Sequence, residues 1–268
     1  MTVKLTPRQV AKPWGRKDLP APFRNSTNEP IGEIWFEDGR AGTLPFLTKY
    51  IFTSERLSVQ VHPSDAQAAA KGHPRGKTEC WYIMDCEPGA EIGLGLTRQL
   101  DSDKLRSAAL DGSILDLLAW RKVRPGNFFY VPAGTVHAIG ADVSLLEFQQ
   151  NSDITYRLFD YGRPRELHLD DAVDVAISAP YDPSHARFGV DDGRILHSGD
   201  DFTFLKARQD ADVPASLADR HRWVMPIEGT VAAGGIHAVA GECLLVEPGD
   251  RIHFGDNVTA MVAAGGPL

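Results

Sequence analysis

The 268-residue sequence predicts a mainly β protein, built as a sandwich or barrel. Three observations support this fold class. Short runs rich in β-branched and aromatic residues recur along the chain. The 25 glycines and 18 prolines are spread throughout and supply frequent turn signals between these runs. Helical periodicity is confined to a few stretches. The composition, 43% hydrophobic and 24% charged, is that of a folded protein with its own core.

The predicted strands are distributed over both halves of the sequence, six before residue 150 and four after residue 200. Each is a short apolar run bounded by turn-forming residues. They are Glu33–Phe36, Leu47–Phe52, Leu57–Val61, Cys80–Met84, Asn127–Val131, Ser144–Gln149, Phe202–Ala207, Arg222–Ile227, Cys243–Val246 and Val258–Ala263.

Three stretches are predicted to be helical. Ser64 and Gln67 have the spacing of a capping box that opens a short helix, and Gly72 is placed to end it. Apolar positions between residues 101 and 120 suit an amphipathic helix or a pair of helices. The apolar residues from Leu169 to Ile177 follow helical spacing, and the helix is expected to end before Pro180.

The charge balance and the cysteines restrict partners and location. The formal net charge of −8 argues against nucleic-acid binding, which needs a basic field, so an anionic ligand would require a locally positive pocket. Three cysteines in no zinc-motif spacing fit a reducing compartment. No secretory h-region and no run of 18 apolar residues is found in the sequence, which predicts a cytoplasmic protein without a membrane partner.

The domain boundary is predicted between residues 180 and 181, where the sequence becomes rich in proline, aspartate, histidine and glycine. The first domain, residues 1–180, would carry the chemistry and a helical insertion near 101–120. The second, residues 181–268, contains a strand and a Pro-Gly turn like those around residues 126–142.

The most informative motif surrounds His137. Gly126 is followed at fixed spacing by Pro132, Gly134 and His137, and this spacing resembles the second motif of the cupin barrel. In such a motif, proline fixes the entry of the turn and glycine supplies its unusual dihedral angle. The alternative is a plain hairpin with a surface histidine, but turn chemistry alone requires no histidine there.

Three further residues complete a predicted metal site with His137. Gln60 and His62 alternate on a predicted strand and so face the same side. Glu79 opens an apolar strand, where a carboxylate is costly to bury unless it is paired or bound to a metal. Two imidazoles and a carboxylate with open positions suit one catalytic Zn²⁺ per chain, although manganese, cobalt or Fe(II) would also accept them.

A second group of polar residues follows the His137 motif. Strand alternation would put Glu147 on the face opposite Leu146 and Phe148. Arg157 and Arg163 follow, and guanidinium groups fixed near a metal would bind developing oxyanion or phosphate charge. An ordinary surface ion-pair network is the alternative interpretation, and this segment alone does not decide between them.

Seven strings together resemble the class I mannose-6-phosphate isomerases of the small bacterial type, which belong to the cupin superfamily. They occur in family order between Lys12 and Val175, and the match fades beyond Ala179. One departure is Ile34, which stands where the family pattern has a polar residue. The strings are AKPWG, GEIWF, LSVQVHPSD, GKTECWY, PGNFFYVPAGTVHAIG, LEFQQNSDITYRLFDYGR and RELHLDDAVDV.

The resemblance implies a double-stranded β-helix barrel, followed by a second, cupin-like barrel without metal ligands. It also implies a zinc enzyme that interconverts mannose 6-phosphate and fructose 6-phosphate through an enediol. Arg157 matches the active-site arginine of the family, and Lys77 matches a lysine of the substrate pocket. Ser58 and Arg163 match positions near the phosphate.

The same resemblance implies that the metal ligands are His62, Glu79 and His137. Gln60 matches a fourth ligand found in part of the family. The proton would be moved by Glu147, Lys77 or a metal-bound water, and the sequence does not choose among them.

Two other interpretations stay open at this point. The ligand set alone also permits another cupin metalloenzyme, acting on a different sugar phosphate. A sugar-binding cupin without turnover is the second, although such a module would not need the metal ligands together with Arg157 and Lys77. The sequence does not identify a protein partner, which stays unknown.

Overall fold

The computed structural model describes residues 1–39, 44–189 and 195–268, and within them the protein is mainly β, as the sequence predicts. Antiparallel strands form four sheets of seven, five, six and three strands. The strands are β1 (Val3–Lys4), β2 (Thr6–Arg16), β3 (Ile31–Glu37), β4 (Phe46–Phe52), β5 (Val59–Val61), β6 (Glu79–Cys86), β7 (Glu91–Leu96), β8 (Leu118–Lys122), β9 (Phe128–Val131), β10 (His137–Ile139), β11 (Val143–Gln150), β12 (Tyr156–Phe159), β13 (Ala186–Arg187), β14 (Ile195–Ser198), β15 (Phe202–Ala207), β16 (Arg222–Glu228), β17 (Thr230–Ala233), β18 (Ile236–Val239), β19 (Leu244–Val246), β20 (Ile252–Phe254) and β21 (Thr259–Gly265).

The seven-stranded and five-stranded sheets enclose the first core. Their strand orders are β13-β9-β6-β11-β4-β3-β2 and β12-β5-β10-β7-β8. Trp81, Ile83 and Leu145 of the larger sheet pack in one cluster with Ile92 and Leu94 of the smaller sheet. The site described below lies between these two sheets.

The six-stranded sheet, ordered β1-β19-β16-β21-β15-β14, covers the outer face of the seven-stranded sheet. An aromatic cluster joins them, in which Phe148 contacts Phe202 and Trp223 at ring-centroid distances of 5.2 and 5.7 Å. The three-stranded sheet, ordered β18-β17-β20, packs on the far side of the six-stranded sheet through Val224, Val231 and other small apolar residues. The sheets therefore form four successive layers.

Helices cover the outer face of the five-stranded sheet and bury a further apolar cluster there. The helix α1 begins after Ser64, which forms the predicted capping box with Gln67. No helix in the described part of the chain is long and apolar enough to cross a membrane. The helices are α1 (Asp65–Ala70), α2 (Ser102–Asp111), α3 (Ile114–Leu117) and α4 (Leu169–Val175), with single 3₁₀ turns at Pro183–His185, Asp210–Asp212 and Ala215–Leu217.

The structure differs from the sequence predictions at element ends and in additional strands that were not predicted. Strand β2 is the longest of these, and β7, β8, β10, β12, β17, β18 and β20 are others. The helical stretch predicted near 101–120 ends at Leu117, because Leu118 begins β8 and pairs with β7. The helix α4 ends at Val175, and the backbone N–H of Ile177 instead donates to Gly134. Strand β2 was not predicted, since it contains Pro7 and Pro13; it is an edge strand, where a missing N–H is tolerated.

Candidate active site

Three strand ends bring His62, Glu79 and His137 together. His62 directly follows β5, Glu79 is the first residue of β6, and His137 is the first residue of β10. The turn before His137 has the predicted form, with Gly134 at a φ of +85° and its N–H donating to the carbonyl of His62. A side chain at position 134 would meet Ile177, so glycine is required by both dihedral angle and space. All three functional side chains are buried.

Both imidazoles are fixed with Nε2 toward the interior of the site. His62 donates its Nδ1–H to the carbonyl of Ile154 at 2.8 Å, and His137 donates its Nδ1–H to the carbonyl of Thr135 at 2.9 Å. Burial lowers the pKa of His62 well below its ordinary value and the pKa of His137 to about 4. Both rings are therefore neutral at pH 7, with an unprotonated Nε2 available to a ligand.

The carboxylate of Glu79 lies between the two imidazoles. Its Oε2 is 3.6 Å from His62 Nε2 and its Oε1 is 3.6 Å from His137 Nε2. Neither oxygen accepts a well-directed hydrogen bond from a residue that the structure describes, although the ammonium group of Lys77 lies 2.8 Å from Oε2. Ligand atoms about 2.1 Å from a tetrahedral zinc lie roughly 3.4 Å from one another. The three residues thus form a group that could hold a metal ion, with all ligand atoms within 4.8 Å of one another.

Gln60 lies beside this group. Its backbone pairs with His137, and its side-chain Nε2 is 3.2 Å from His137 Nε2. Ser58 donates its hydroxyl to Gln60 Oε1 at 3.1 Å and so holds the amide in place. A half-turn of that amide would direct its carbonyl oxygen toward the metal-binding group, which is what a fourth ligand requires.

Lys77 contacts two of the candidate ligand atoms, one on Glu79 and one on His62. Its Nζ is 2.8 Å from Glu79 Oε2 and 3.0 Å from His62 Nε2, and 4.0 Å from Glu147 Oε1. The side chain is buried and lines the cleft above the metal-binding group. An ammonium group at this position can reach both a substrate oxygen and the carboxylate of Glu147.

Glu147 faces the site from β11, whereas Leu146 and Phe148 face the aromatic cluster, so the predicted alternation is confirmed. Trp81 donates its Nε1–H to Glu147 Oε2 at 2.9 Å. Lys49 Nζ lies 2.9 Å from Oε1. Burial, together with the nearby carboxylate of Glu79, raises the pKa of Glu147 above its ordinary value, against the opposing effect of the two lysines. A carboxylate with a raised pKa is a stronger base.

Arg157 lines the cleft, and its guanidinium makes few hydrogen bonds to the described residues. Its Nη1 makes one long contact, 3.5 Å, with the carbonyl of Glu166, and its buried Nε donates to no described residue. Arg165 lines the cleft beside it and is held by two 2.6 Å bonds to Asp160. The cleft is rich in cations although the molecule is acidic. The cationic residues along it are Lys12, Lys49, Lys77, Arg157 and Arg165, against the carboxylates of Glu33 and Glu147.

The two residues expected near a phosphate lie at different distances from the cleft. Ser58 is buried and lines it. Arg163 instead contacts Asp160, Glu55 and the carbonyl of Arg56, and is not among the described residues that line the cleft. A phosphate role for either residue stays a prediction.

Sequence reasoning missed Lys49, Lys12 and Arg165, and assigned no role to Glu33. Lys49 had a signal, since a lysine inside the apolar run Leu47–Phe52 is costly to bury without a partner. Ile34, the departure from the family pattern, packs in the cluster between the seven- and six-stranded sheets. Its neighbours Glu33 and Trp35 face the cleft, so this departure changes packing and leaves the lining of the cleft intact.

The fold and the site together define a mainly β protein with a buried His-Glu-His metal-binding group beneath a cation-rich cleft. No family model matches the chain. The chain is 44% identical to mannose-6-phosphate isomerase ManA of Bacillus subtilis over 158 residues, covering 54% of this chain and 50% of that protein. It is 40% identical to the mannose-6-phosphate isomerase of Streptococcus mutans over 158 residues, with the same coverage of each chain. The chain spans about half the length of these curated relatives.

The structural comparison extends over nearly the whole chain. The crystal structure of the mannose 6-phosphate isomerase from Bacillus subtilis superposes with a TM-score of 0.79 at 28% identity, covering 98% of this chain and 99% of that one. A zinc-bound mannose 6-phosphate isomerase has the same fold, with a TM-score of 0.68 at 15% identity and full coverage of both chains. The resemblance carried by the sequence motifs is therefore confirmed.

Proposed function

We propose that the protein is a metal-dependent aldose–ketose isomerase that interconverts mannose 6-phosphate and fructose 6-phosphate. One observation carries this proposal: the His62-Glu79-His137 group lies beneath a cleft that also presents Lys77, Glu147 and Arg157. A binding module would need the cations for an anionic sugar, but not a buried carboxylate base beside a metal-binding group. The likeness to mannose-6-phosphate isomerases supports the same reaction.

The metal proposed for this site is zinc, one per chain, held by His62, Glu79 and His137, with Gln60 as the fourth ligand. Two neutral imidazoles and a buried carboxylate, which pairs with Lys77 at 2.8 Å, are a donor set that suits zinc. Manganese, cobalt or Fe(II) would fit the same donors. When bound, the metal supplies Lewis-acid stabilisation of negative charge on the substrate oxygens.

The protein's own residues would then move one proton between C2 and C1 of the open-chain sugar. Glu147 is the proposed base, because its raised pKa and fixed orientation suit proton abstraction from carbon. Lys77 would donate hydrogen bonds to the substrate oxygen nearest the metal-binding group. Arg157, with uncommitted donors facing the cleft, would stabilise the enediolate charge.

The phosphate needs a cationic anchor remote from C1 and C2, so that its binding energy orients the sugar. Ser58 and Arg163 are proposed for this role from the family pattern. The geometry adds Arg165, which lines the cleft and is held rigid by Asp160. Alanine variants of the two arginines separate the possibilities. Whichever arginine anchors the phosphate, its replacement by alanine is expected to raise KM for mannose 6-phosphate by about tenfold or more, with a smaller effect on kcat.

The finer division of the fold is also a proposal. Residues 1–180 would form the catalytic cupin domain, with its helical insertion near 101–120, and residues 181–268 a degenerate cupin-like domain without metal ligands. Two facts support it: the strand order β9-β6-β11-β4 recurs as β19-β16-β21-β15, and each group is faced by a second sheet. Strand β1 pairs with β19, so the start of the chain also contributes to the six-stranded sheet.

A cytoplasmic location and a sugar-phosphate substrate complete the proposal. Cys80, Cys86 and Cys243 are all unpaired thiols, which supports a reducing compartment. No nucleic-acid or protein partner is proposed.

The test is a coupled assay of fructose 6-phosphate formation from mannose 6-phosphate. The protein is stripped with chelator and reloaded with zinc, cobalt or manganese, and folding and metal content are checked separately. Metal-dependent turnover is the expected result. A folded, metal-loaded protein without turnover contradicts the proposal. A panel of other aldose and ketose phosphates then tests for a different sugar-phosphate substrate.

A further inference from the structure

Lys49 is a buried lysine at the centre of the seven-stranded sheet, and neither the family pattern quoted above nor the metal-binding group accounts for it. It is 6% exposed and lies on β4, directly opposite Glu147 in the ladder with β11. Its Nζ is 2.9 Å from Glu147 Oε1. A buried ion pair is weak evidence for a stabilising role, because desolvation offsets much of the attraction. A buried pair on the wall of the cleft therefore calls for another explanation.

The pair occupies the middle of a row that crosses five neighbouring strands. The register places Trp35, Lys49, Glu147, Trp81 and Phe129 opposite one another in turn. Lys49 Nζ lies 5.6 Å from the centroid of the Trp35 ring, and Trp81 donates to Glu147 Oε2 at 2.9 Å. Each oxygen of Glu147 is thus approached by a different cation or donor, and the carboxylate plane is fixed.

The two oxygens of the Glu147 carboxylate differ in their hydrogen-bonding partners. Oε2 accepts the indole N–H of Trp81, whereas the described groups near Oε1 are two ammonium groups, Lys49 at 2.9 Å and Lys77 at 4.0 Å. Oε1 therefore keeps a lone pair on the side of Lys77, which lines the cleft and contacts the metal-binding group. Without Lys49, Glu147 could rotate about its terminal bond toward Lys77.

We propose that Lys49 is a positioning residue for the isomerisation: it holds the Glu147 carboxylate so that Oε1 faces the reacting carbons. The inference rests on the proposed function, because Glu147 is the base only if the protein is an isomerase. Lys49 itself is not expected to exchange a proton with the sugar. Burial opposes its charge, but Glu147 and Glu33 outweigh burial and raise the pKa of Lys49 above its ordinary value.

The experiment is a double-mutant cycle on zinc-reloaded protein, with kcat and KM for mannose 6-phosphate and zinc content measured for each variant. Lys49→Met is expected to lower kcat by about 10- to 100-fold while KM changes less than about threefold, since misplacement of a catalytic group costs turnover. Lys49→Arg, which keeps the charge, is expected to recover part of the loss. In a Glu147→Gln background, Lys49→Met is expected to cause no further loss beyond about threefold.

The cycle remains informative if Lys49→Met alone is unstable, because the double variant Lys49→Met with Glu147→Gln removes both charges and leaves no unpaired buried ion. The surface pair Lys4–Glu242, with 2.6 Å between Nζ and Oε2, supplies a matched control, and Lys4→Met should leave kcat unchanged. If Lys49→Met lowers kcat equally with Glu147 present and in the Glu147→Gln background, the positioning role is overturned. A raised KM with unchanged kcat would overturn it as well. An inactive wild type overturns the proposed function too, so the two failures are distinguishable.

Discussion

The seven-stranded and six-stranded sheets place opposite charges at one corresponding position. Glu79 is the first residue of β6 and pairs with Val131 and Gln149. Arg222 is the first residue of β16 and pairs with Val246 and Ala264, in the equivalent place of the equivalent strand order. Both side chains are buried. In the first case two imidazoles surround a carboxylate, and in the second a guanidinium donates to backbone carbonyls.

Arg222 at the second position donates to the backbone. Its Nη2 donates to the carbonyls of Glu247 and Asp250 at 2.7 and 2.8 Å, and so ties the turn that follows β19. The turn after β9 leads instead to His137, six residues beyond Val131, whereas the sixth residue beyond Val246 is Ile252. A guanidinium of the chain itself thus lies at the position where the first region has the carboxylate of the candidate metal-binding group. The same strand framework thus carries the candidate metal-binding group in one region and a buried guanidinium in the other.

Among the variants that test this comparison, His137→Ala is expected to have the largest effect on zinc content and turnover. We expect wild-type protein to keep one zinc per chain after dialysis and His137→Ala to keep none, with turnover lowered more than about a thousandfold. Metal content by elemental analysis and the coupled assay measure both effects. The exposed His253, next to Ile252 in the second region, is the matched control, and His253→Ala should keep its zinc. Stoichiometric zinc in His137→Ala would count against ligation.

Arg157→Ala tests whether the chemistry of the first region depends on more than the metal. The variant should fold and keep zinc, because the guanidinium of Arg157 makes one long hydrogen bond to the part of the chain that the structure describes. Its kcat should fall by about 100- to 1,000-fold, as expected when a preorganised donor to developing charge is lost. Arg187→Ala is the control, because the guanidinium of Arg187 lies outside the cleft and donates to the backbone carbonyls of Ser184 and Ala186. Near-normal kcat in Arg157→Ala would refute the role.

Arg222→Met tests the other half of the comparison. Two hydrogen bonds from a buried charged group are lost, so the free energy of unfolding should fall by about 2–4 kcal/mol, while zinc content and kcat stay at wild-type values. Urea denaturation monitored by tryptophan fluorescence measures the change. The neighbouring Arg251 is exposed, and Arg251→Met should shift stability by less than about 0.5 kcal/mol. A loss of zinc in Arg222→Met would show that the two regions are coupled.

The comparison also shows which of these residues could be identified from the sequence and which could not. His62, Glu79 and His137 could be found because turn spacing, strand alternation and an isolated carboxylate are local signals. Lys49 and Arg222 each lie within or at the start of a correctly predicted strand, but their partners belong to other strands. No local pattern shows that Lys49 faces Glu147 across a ladder 98 residues away in sequence, or that Val3 pairs with Leu245.

The partners of histidines outside the candidate metal-binding group are likewise not visible in the local sequence. His197 is the example with the smallest expected effect. Its ring stacks on Tyr130 at a centroid distance of 3.7 Å, joining β14 to the seven-stranded sheet, and its buried Nε2 has no hydrogen-bond partner among the described residues. Burial, with smaller effects of His185 and Arg187, lowers the pKa of His197 to about 4. The folded protein therefore keeps this ring neutral where the unfolded chain binds a proton.

The sign of the pH dependence follows from that difference. Above the ordinary histidine pKa of 6.5 the contribution of His197 to stability is fully present, and it is lost as pH falls from 6.5 toward about 4. His197→Phe keeps the stack on Tyr130 but cannot be protonated, so its free energy of unfolding should decline less steeply over this range. His237→Asn, at an exposed position on β18, should leave the wild-type slope unchanged. Equal slopes in wild type and His197→Phe would show that His197 does not contribute to the acid sensitivity.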